Sequence, residues 1–256
     1  MRSKRSICAV IPAAGEGSRL GHALPKILVP ITTQQTVWEI LHSKLSPIVD
    51  HIHVILSENG EKLFEKQFHK NGLTQNVSTS IQPIPKGMGD AIFGAYDYWK
   101  RFDYILVLWG DQVNVSSQTL QSIIQAQEGA IEKTLALAIN MVPDPYVQCD
   151  FNQGSSVLLN IRQSREGDIC DEKGFADVGT FGLSTHTLME AWQGYLQKPV
   201  LGKKTGEINF LPFLVYLSKE LHWDLKLIEV KDPLESRGIN TAEDLDFFRM
   251  KYSNGG

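Results

Sequence analysis

The loop that follows the first apolar segment of the chain combines small residues with two cations. Small side chains let backbone N–H groups approach phosphate oxygens that a β-carbon would hold off. An arginine offers a fork that can hold two oxygens, and a lysine offers a compact point charge. This combination is typical of a loop that binds a ligand with several negative charges. Its members are Ala13, Ala14, Gly15, Gly17, Arg19 and Lys26.

The glycine spacing in this loop does not by itself decide its function. The loop lacks the Gly-Lys-Ser/Thr of a P-loop, and it lacks the helix that directly follows the glycines of a dinucleotide fingerprint. Short glycine motifs are weak indications, so Gly15 and Gly17 could equally form a tight turn beside two solvated cations. Both interpretations stay open for the loop alone.

The first half of the chain alternates apolar runs with helical patterns. The run at 7–11 is short and continuous, as expected of a strand buried on both faces. Connections between the runs are too long for hairpins, so the pattern predicts a Rossmann-like, mostly parallel α/β sheet with right-handed crossovers. The predicted strands are 7–11, 51–56, 77–82, 104–108 and 135–141. One predicted helix begins after a capping box at Thr36, and the others span 61–70, 87–99 and 119–127.

The alternation of strands and helices changes after Pro143. Two predicted strands have no helical pattern between them, which indicates a small mixed or antiparallel lobe beside the main sheet. The predicted elements of this part are strands at 156–161, 177–183 and 225–230, and helices at 187–197, at 210–219 and after Thr241.

Composition restricts the class of protein. The chain has 256 residues, of which 42% are hydrophobic, so it can form a large core. Its net charge of −4 argues against a dedicated nucleic-acid binder, which usually carries a basic excess. No apolar run approaches the roughly 20 residues of a membrane span. We expect one soluble domain, 1–256, with a ligand-binding half of about 1–142 and a second lobe and C-terminal return of about 143–256. Neither nucleic acid nor membrane is an expected partner, and the sequence leaves the oligomeric state open.

The cysteines indicate a compartment rather than a site. They are far apart and form no Cys-x-x-Cys or Cys/His pattern, so neither a disulfide framework nor a zinc site is predicted. Free thiols fit a reducing environment, and we expect a cytoplasmic protein. The three are Cys8, Cys149 and Cys170.

The segment Ala14-Gly15-x-Gly17-Ser18-Arg19-Leu20, followed by Pro25-Lys26, resembles the signature of the sugar-1-phosphate nucleotidyltransferases, most of all their uridylyltransferase members. In that family, which has a GT-A-like fold, this loop wraps the triphosphate of the nucleotide. The resemblance implies a catalytic Arg19 at the leaving pyrophosphate and a catalytic Lys26 at the phosphates of both reactants. It also implies nucleotide contacts for Ala13, Ala14, Gly15 and Gly17.

A second match lies at the end of the third predicted strand. Residues 82–91 are similar to the base-recognition segment of the family, which implies that Gln82 and Gly87 read the edge of a pyrimidine. An amide offers both a donor and an acceptor to a base. Met88 is a further candidate nucleotide contact and stands where many members carry Thr, while Asp90 stands where uridylyltransferases often carry His. UTP and dTTP are the favoured nucleotides.

Two further segments resemble the metal ligands of the family. Gly110-Asp111 ends the fourth predicted strand and is similar to the Gly-Asp pair whose aspartate binds Mg²⁺ beside the nucleotide. A carboxylate in this position suits Mg²⁺, which takes few protein ligands and keeps several waters. Gly238-Ile239-Asn240 is similar to the family's Gly-Val-Asn, which implies that Asn240 is the second ligand.

The sugar contacts are implied by two shorter matches. Asp177-Val178-Gly179 stands where the family usually has Asn-x-Gly, and Gly206-Glu207 resembles its Gly-Glu. The candidates are therefore Asp177, Gly179 and Glu207, while an acidic contact within 161–172 stays unassigned. Arg162 and Arg165 are expected to belong to a solvated loop, and contact with an anionic sugar is the alternative.

These matches predict Mg²⁺-dependent transfer of a nucleotidyl group from an NTP to a sugar 1-phosphate. The sugar phosphate would attack the α-phosphorus in line, and pyrophosphate would leave. No general base is needed, because a phosphate monoester with a second pKa of about 6 is largely dianionic at pH 7. Catalysis would depend on positioning and on neutralisation of charge.

Other activities are compatible with the first loop. Cytidylyltransferases that act on an alcohol phosphate, such as methylerythritol phosphate, share a similar loop but carry Asp-Ala-Ala-Arg-Pro where this chain has Gly-Asp-Gln-Val-Asn at 110–114. Molybdenum-cofactor guanylyltransferases prefer two glycines where Ala13 and Ala14 stand. A non-catalytic nucleotide-binding regulator on the same fold is the remaining alternative.

Overall fold

A central sheet carries helices on both faces. The computed structural model describes residues 5–15, 24–68, 74–128, 132–152, 156–198 and 201–253. The strands are β1 (Ile7–Pro12), β2 (His51–Leu56), β3 (Val77–Ile81), β4 (Tyr104–Leu108), β5 (Thr134–Pro143), β6 (Val147–Phe151), β7 (Leu158–Gln163), β8 (Lys173–Ser184) and β9 (Asp224–Glu229). The helices are α1 (Val37–Leu45), α2 (Glu58–Phe68), α3 (Met88–Gly94), α4 (Tyr96–Trp99), α5 (Ser117–Glu128), α6 (Leu188–Tyr195), α7 (Leu211–Val215) and α8 (Ala242–Ser253). Within these ranges, the structure has no helix both long enough and apolar enough to cross a membrane.

The strand order is β3-β2-β1-β4-β8-β5-β9. Strands β1 to β4 pair in parallel, and β5 pairs in parallel with β9. Between these two groups β8 pairs antiparallel with both β4 and β5, so it alone of these seven strands runs against the others. The predicted fold class, a mostly parallel sheet with antiparallel additions, is confirmed.

Each face of the sheet packs against its own hydrophobic cluster. Along β1, Ala9 and Ile11 face one cluster, while Cys8 and Val10 face the other, as the two-residue period of a strand requires. The first cluster takes its side chains from α1, α2, α5 and α8, and the second takes them from α3, α4, α6 and α7. This sandwich fixes the carboxyl ends of β1 to β4 at one edge, where ligands of open α/β sheets bind.

The sequence pattern predicts no strand between 143 and 156, and this prediction is wrong. Strand β6 pairs antiparallel with β7 and meets β8 where Cys149 lies opposite Phe175. Its polar Gln148 is buried because its amide donates to Asp171 and accepts from the Asp171 N–H. Those partners lie in another segment, so a hydrophobic pattern cannot indicate this strand.

The helix predicted at 87–99 is in fact two helices. The chain leaves helical geometry at Ala95, directly after Gly94, whose helix propensity is low. The indole N–H of Trp99 donates to the carbonyl of Ile92 at 2.8 Å, which satisfies an oxygen near this break. The helix predicted at 210–219 likewise changes, after α7, into a π-helical turn at Tyr216–Glu220.

Candidate active site

Lys26 belongs to a short 3₁₀ turn, Lys26–Leu28, between the first loop and α1. The next two side chains, Ile27 and Leu28, are buried in the first cluster and anchor the turn. Lys26 remains 24% exposed and reaches toward the carboxyl edge of the sheet. The sequence therefore uses two apolar anchors to hold one cation at the surface.

Asp111 follows the end of β4 at the same edge. Gly110 permits this close arrangement, because a β-carbon there would lie 3.1 Å from the Ala13 side chain and 3.3 Å from the Pro12 carbonyl oxygen. The Trp109 N–H donates to the Gly179 carbonyl and extends the pairing of β4 with β8. The loops after β1, β4 and the middle of β8 are thus packed together around Asp111.

Asn240 reaches this edge from the C-terminal part of the chain. The Ile239 N–H donates to the Asp111 carbonyl at 3.1 Å, which fixes the turn beside β4. The carboxylate of Asp244 accepts from the backbone N–H groups of Asn240 and Thr241 at the start of α8. A β-carbon at Gly238 would lie 3.2 Å from Asp111 Oδ1, so this glycine lets the turn approach the carboxylate.

These three side chains meet at one point. Lys26 Nζ lies 2.9 Å from Asp111 Oδ2 and 3.0 Å from Asn240 Oδ1. The contacts join residues separated by 85 and 214 positions in the sequence. We call Lys26, Asp111 and Asn240 the edge cluster. The structure therefore brings together the predicted catalytic lysine and both predicted metal ligands.

The donor atoms of the edge cluster fit a magnesium ion. A carboxylate oxygen and an amide oxygen lie within about 3 Å of a single cationic nitrogen, and both are hard ligands of the kind that Mg²⁺ prefers. Among the described residues, no group of three or more His, Cys, Asp or Glu side chains could hold a metal. The arrangement fits an ion held jointly by two protein oxygens, substrate phosphate and water.

Asp177 and Gly179, the candidate sugar contacts on β8, lie beside the edge cluster. Asp177 Oδ1 accepts from the Gly179 N–H at 2.8 Å. Burial raises the pKa of Asp177 to about 6, and the nearby charge of Asp111 adds to the rise. Gly179 has a φ of +71°, and a β-carbon there would lie 2.6 Å from Gln112 Cγ. This position in β8 therefore requires glycine.

The predicted base-recognition segment forms a braced turn. The side-chain amide of Gln82 donates to the Gly87 carbonyl at 3.1 Å and to Asp90 Oδ2 at 2.9 Å. Gly87 adopts a φ of +115°, which favours glycine. Asp90 thus orients the glutamine amide. Met88 packs partly buried against the second cluster.

The same turn is bonded to the loop that carries Glu207. Ile208 N–H donates to the Lys86 carbonyl at 2.7 Å, and Gly89 N–H donates to the Ile208 carbonyl at 3.0 Å. A β-carbon at Gly87 would lie 2.6 Å from that same Ile208 oxygen. Two backbone hydrogen bonds therefore join the predicted base and sugar segments, although Glu207 makes no direct bond with Asp177 or Gly179 within the described residues.

Both arginines of the 161–172 region are paired, so the expectation of a solvated loop is wrong. Arg165 Nη2 donates to Glu207 Oε2 at 2.5 Å and to Asn209 Oδ1 at 2.6 Å. Arg162 donates to the carboxylates of Asp150 and Asp171. Asp171 belongs to the same region as Arg162, whereas Asp150 precedes it and Glu207 lies 42 positions after Arg165, so composition alone did not indicate these pairs.

Glu166 is a structural centre of the 201–209 loop that the sequence did not single out. It is only 5% exposed, and its carboxylate accepts from Thr205 Oγ1 at 2.6 Å, from Asn209 Nδ2 at 3.0 Å and from the Lys204 N–H at 3.0 Å. Burial raises its pKa, but these hydrogen bonds outweigh burial and lower the pKa to about 2. Glu166 therefore holds the 201–209 loop, and with it Glu207, in place.

The described residues include only part of the predicted phosphate loop. The Ala13 N–H donates to the Ile55 carbonyl at 2.7 Å, and Ala14 is buried. A β-carbon at Gly15 would meet no atom within 4 Å. Gly17 and Arg19, which the resemblance implies as nucleotide and pyrophosphate contacts, lie outside the described residues.

Known proteins resemble the chain in sequence and in fold. Residues 9–147, more than half of the chain, match the family described as the MobA-like NTP transferase domain. Bifunctional protein GlmU of Aquifex aeolicus (strain VF5) is 26% identical over 249 residues, which cover 93% of this chain and 51% of that protein. The chain thus spans about half the length of this curated relative.

A solved structure adds information about the fold alone. The crystal structure of 4-diphosphocytidyl-2C-methyl-D-erythritolsynthase from Anaerococcus prevotii DSM 20548 matches with a TM-score of 0.66 at 14% identity, covering 97% of this chain and 96% of that chain. This similarity in overall fold fits a GT-A-like fold for the present chain. Family membership implies an NTP substrate and a phosphate-bearing acceptor. The chain belongs to the family of MobA-like NTP transferase domains and is a nucleotidyltransferase.

Proposed function

We propose that this enzyme transfers a nucleotidyl group from UTP or dTTP to a sugar 1-phosphate and releases pyrophosphate. The observation that carries the proposal is the edge cluster, in which Lys26 lies 2.9 Å from Asp111 and 3.0 Å from Asn240. Two phosphorylated reactants repel each other, so their reaction needs positive charge at the point where they meet. A lysine beside two metal-type oxygens at the carboxyl edge of the sheet supports that requirement.

The proposed reaction is an in-line displacement. A phosphate oxygen of the acceptor attacks the α-phosphorus of the nucleotide and forms the new P–O bond. The bond between the α-phosphorus and its bridging oxygen to the β-phosphate breaks, and pyrophosphate leaves with that electron pair. Lys26 holds the phosphates of both reactants, and Arg19 contacts the departing pyrophosphate. Positioning and charge account for catalysis without a general base.

Asp111 and Asn240 would hold Mg²⁺, with substrate oxygens and water completing its coordination. The ion would neutralise charge on the triphosphate. The two donor oxygens, which lie 2.9 and 3.0 Å from one cationic nitrogen, support this choice of cofactor.

The remaining roles follow the two halves proposed for the chain. Residues of about 1–142 would bind the nucleotide, with Ala13, Ala14, Gly15 and Gly17 at its phosphates and Gln82, Gly87 and Met88 at its base. Residues of about 143–256 would contact the sugar through Asp177, Gly179 and Glu207. The bonds of Ile208 with Lys86 and Gly89 support a shared boundary between these two parts.

The preference for a sugar 1-phosphate is supported by the 26% identity to GlmU, in an alignment that covers 93% of the chain, and by the motifs that resemble the sugar-1-phosphate nucleotidyltransferases. The structural neighbour carries a different printed activity, that of a 4-diphosphocytidyl-2C-methyl-D-erythritol synthase. That structure shares its fold with the present chain. Transfer of a nucleotidyl group from CTP to an alcohol phosphate is therefore the second candidate function. It differs from the first in both nucleotide and acceptor.

A pyrophosphate-release screen tests these possibilities together. The purified protein is incubated with Mg²⁺ and each of ATP, CTP, GTP, UTP and dTTP against a panel of sugar 1-phosphates and methylerythritol phosphate. We expect release with UTP or dTTP and one sugar 1-phosphate, and mass spectrometry should identify the nucleotide sugar. Release with CTP and methylerythritol phosphate alone would establish the second candidate. Binding of a nucleotide without turnover under any pairing would contradict both and favour a regulator.

A further inference from the structure

The ammonium group of Lys26 lies where the proposed metal ion would need to be. Its Nζ contacts the two oxygens proposed as metal ligands, at 2.9 Å from Asp111 Oδ2 and 3.0 Å from Asn240 Oδ1. Magnesium binds oxygens at about 2.0–2.1 Å and carries two positive charges. An ion on these oxygens and an ammonium on the same oxygens would be neighbouring cations with shared acceptors. The two cannot occupy this place together.

The lysine is suited to leave without disturbing the rest of the cluster. Its backbone is fixed by the buried Ile27 and Leu28, while its four-carbon side chain is flexible and its head is partly exposed. The backbones that carry the two oxygens are held independently of Lys26. The Ile239 N–H bonds to the Asp111 carbonyl, and Asp244 fixes the Asn240 backbone.

We infer that Lys26 is an internal counter-ion that fills the divalent cation site in the nucleotide-free enzyme and competes with the metal for Asp111 and Asn240. This inference rests on the proposed function, because it takes the two oxygens as metal ligands. When the nucleotide arrives with its metal, the ammonium is displaced from the oxygens and becomes available to the phosphates. Free metal therefore binds weakly, and metal occupancy is coupled to nucleotide occupancy.

Manganese binding to the nucleotide-free protein tests the inference directly. Mn²⁺ is titrated into the full chain, and the free ion is measured by electron paramagnetic resonance. We expect Lys26→Met to bind Mn²⁺ at least roughly tenfold more tightly than the wild type, since an adjacent competing charge is removed. Lys26→Gln, which keeps a polar head, should shift affinity in the same direction and serves if the methionine variant does not fold.

Two control variants locate the effect. Lys62→Met removes an exposed lysine that pairs with Glu58 on α2, so it should leave Mn²⁺ affinity unchanged. In the double variant Lys26→Met, Asp111→Asn the gain in affinity should disappear, because the carboxylate that binds the ion is gone. A gain that persists in the double variant would place the ion elsewhere and overturn the inference.

The outcomes separate this inference from the proposed function. Equal Mn²⁺ affinity in the wild type and in both Lys26 variants would overturn competition by Lys26 while leaving the metal site intact. No Mn²⁺ binding in any variant would overturn the inference and the proposed metal ligands. In both cases the pyrophosphate-release screen still decides nucleotidyl transfer, because its readout does not depend on metal affinity in the absence of nucleotide.

Discussion

The edge cluster and the 201–209 loop hold charged groups in opposite ways. At the edge cluster, three side chains from distant segments meet at a partly open surface, and hydrogen bonds fix the backbones of Asp111 and Asn240. At the 201–209 loop, the buried Glu166 accepts several internal hydrogen bonds, and Arg165 pairs with Glu207. The first arrangement is suited to exchanging an internal partner for a ligand. The second is suited to holding a loop in shape.

Metal removal should have the largest effect on pyrophosphate release if the edge cluster is the reactive region. Treatment with EDTA is expected to abolish pyrophosphate release, and excess Mg²⁺ should restore it, because charge on the triphosphate would otherwise oppose attack. Circular dichroism of the EDTA-treated protein should be unchanged, since the fold contacts described here need no ion. Full turnover in EDTA would contradict the role proposed for Asp111 and Asn240.

Removal of the edge-cluster lysine should have the next largest effect. Lys26→Ala is expected to lower turnover by roughly 10²–10³, the usual result of deleting one well-placed electrostatic group. The thermal unfolding midpoint should change little, because the side chain is partly exposed. Lys62→Ala is the matched control, since it removes an exposed lysine on α2. Wild-type turnover in Lys26→Ala would remove this lysine from the mechanism.

Glu166→Gln tests the 201–209 loop and should mainly lower the free energy of unfolding. The amide would place donor hydrogens against the N–H groups that now bond to the carboxylate, and we expect a loss of about 2 kcal/mol in the free energy of unfolding. Glu58→Gln, at a 70% exposed side chain, is the matched control.

At acidic pH, the difference in unfolding free energy between Glu166→Gln and the wild type should become smaller. The folded pKa of Glu166 is about 2 against an ordinary value of 4.5, so its stabilisation is present above 4.5 and is lost as the pH falls through 2. Urea unfolding at several pH values measures this change. A variant that keeps wild-type stability but loses turnover would break the comparison, because it would make Glu166 a reactive group.

The smallest expected effect belongs to Asp177, which lies beside the edge cluster. Its pKa is raised from 3.8 to about 6, so the folded state favours the protonated acid. The contribution of Asp177 to wild-type stability should therefore fall as the pH rises from about 4 to about 6. In EDTA, Asp177→Asn should be more stable than the wild type by about 1 kcal/mol at pH 8 and no more stable at pH 3.5. If Asp177→Asn and the wild type were equally stable at pH 8 as well as at pH 3.5, the burial of the Asp177 charge would be contradicted.

The sequence indicated two of the three members of the edge cluster because they obey a rule of sheet geometry. Asp111 follows a buried strand and Lys26 lies after the first loop, so the parallel fold predicts that both reach the same edge. Asn240 is different, since a Gly-Ile-Asn turn is unremarkable without its resemblance to a known segment. Its place beside Asp111 depends on a backbone bond from Ile239 that no local pattern contains.

The contacts around the 201–209 loop were less predictable because they are non-local. Glu166 looks like one acid in a polar stretch, and its partners Thr205 and Asn209 lie about forty residues later. Arg165 cannot be recognised as paired until Glu207 is placed beside it. The position of β8 between β4 and β5 likewise follows from pairing across the whole chain.

The insertion of β8 has a consequence for synthesis of the chain. Strand β4 is complete at Leu108, but the neighbour that covers its free side is not complete until Ser184. A nascent chain that stops between these points carries an open strand edge, which is a template for pairing with other chains. We expect truncations that end before β8 to aggregate, whereas chains extended through Ser184 can close that side of β4.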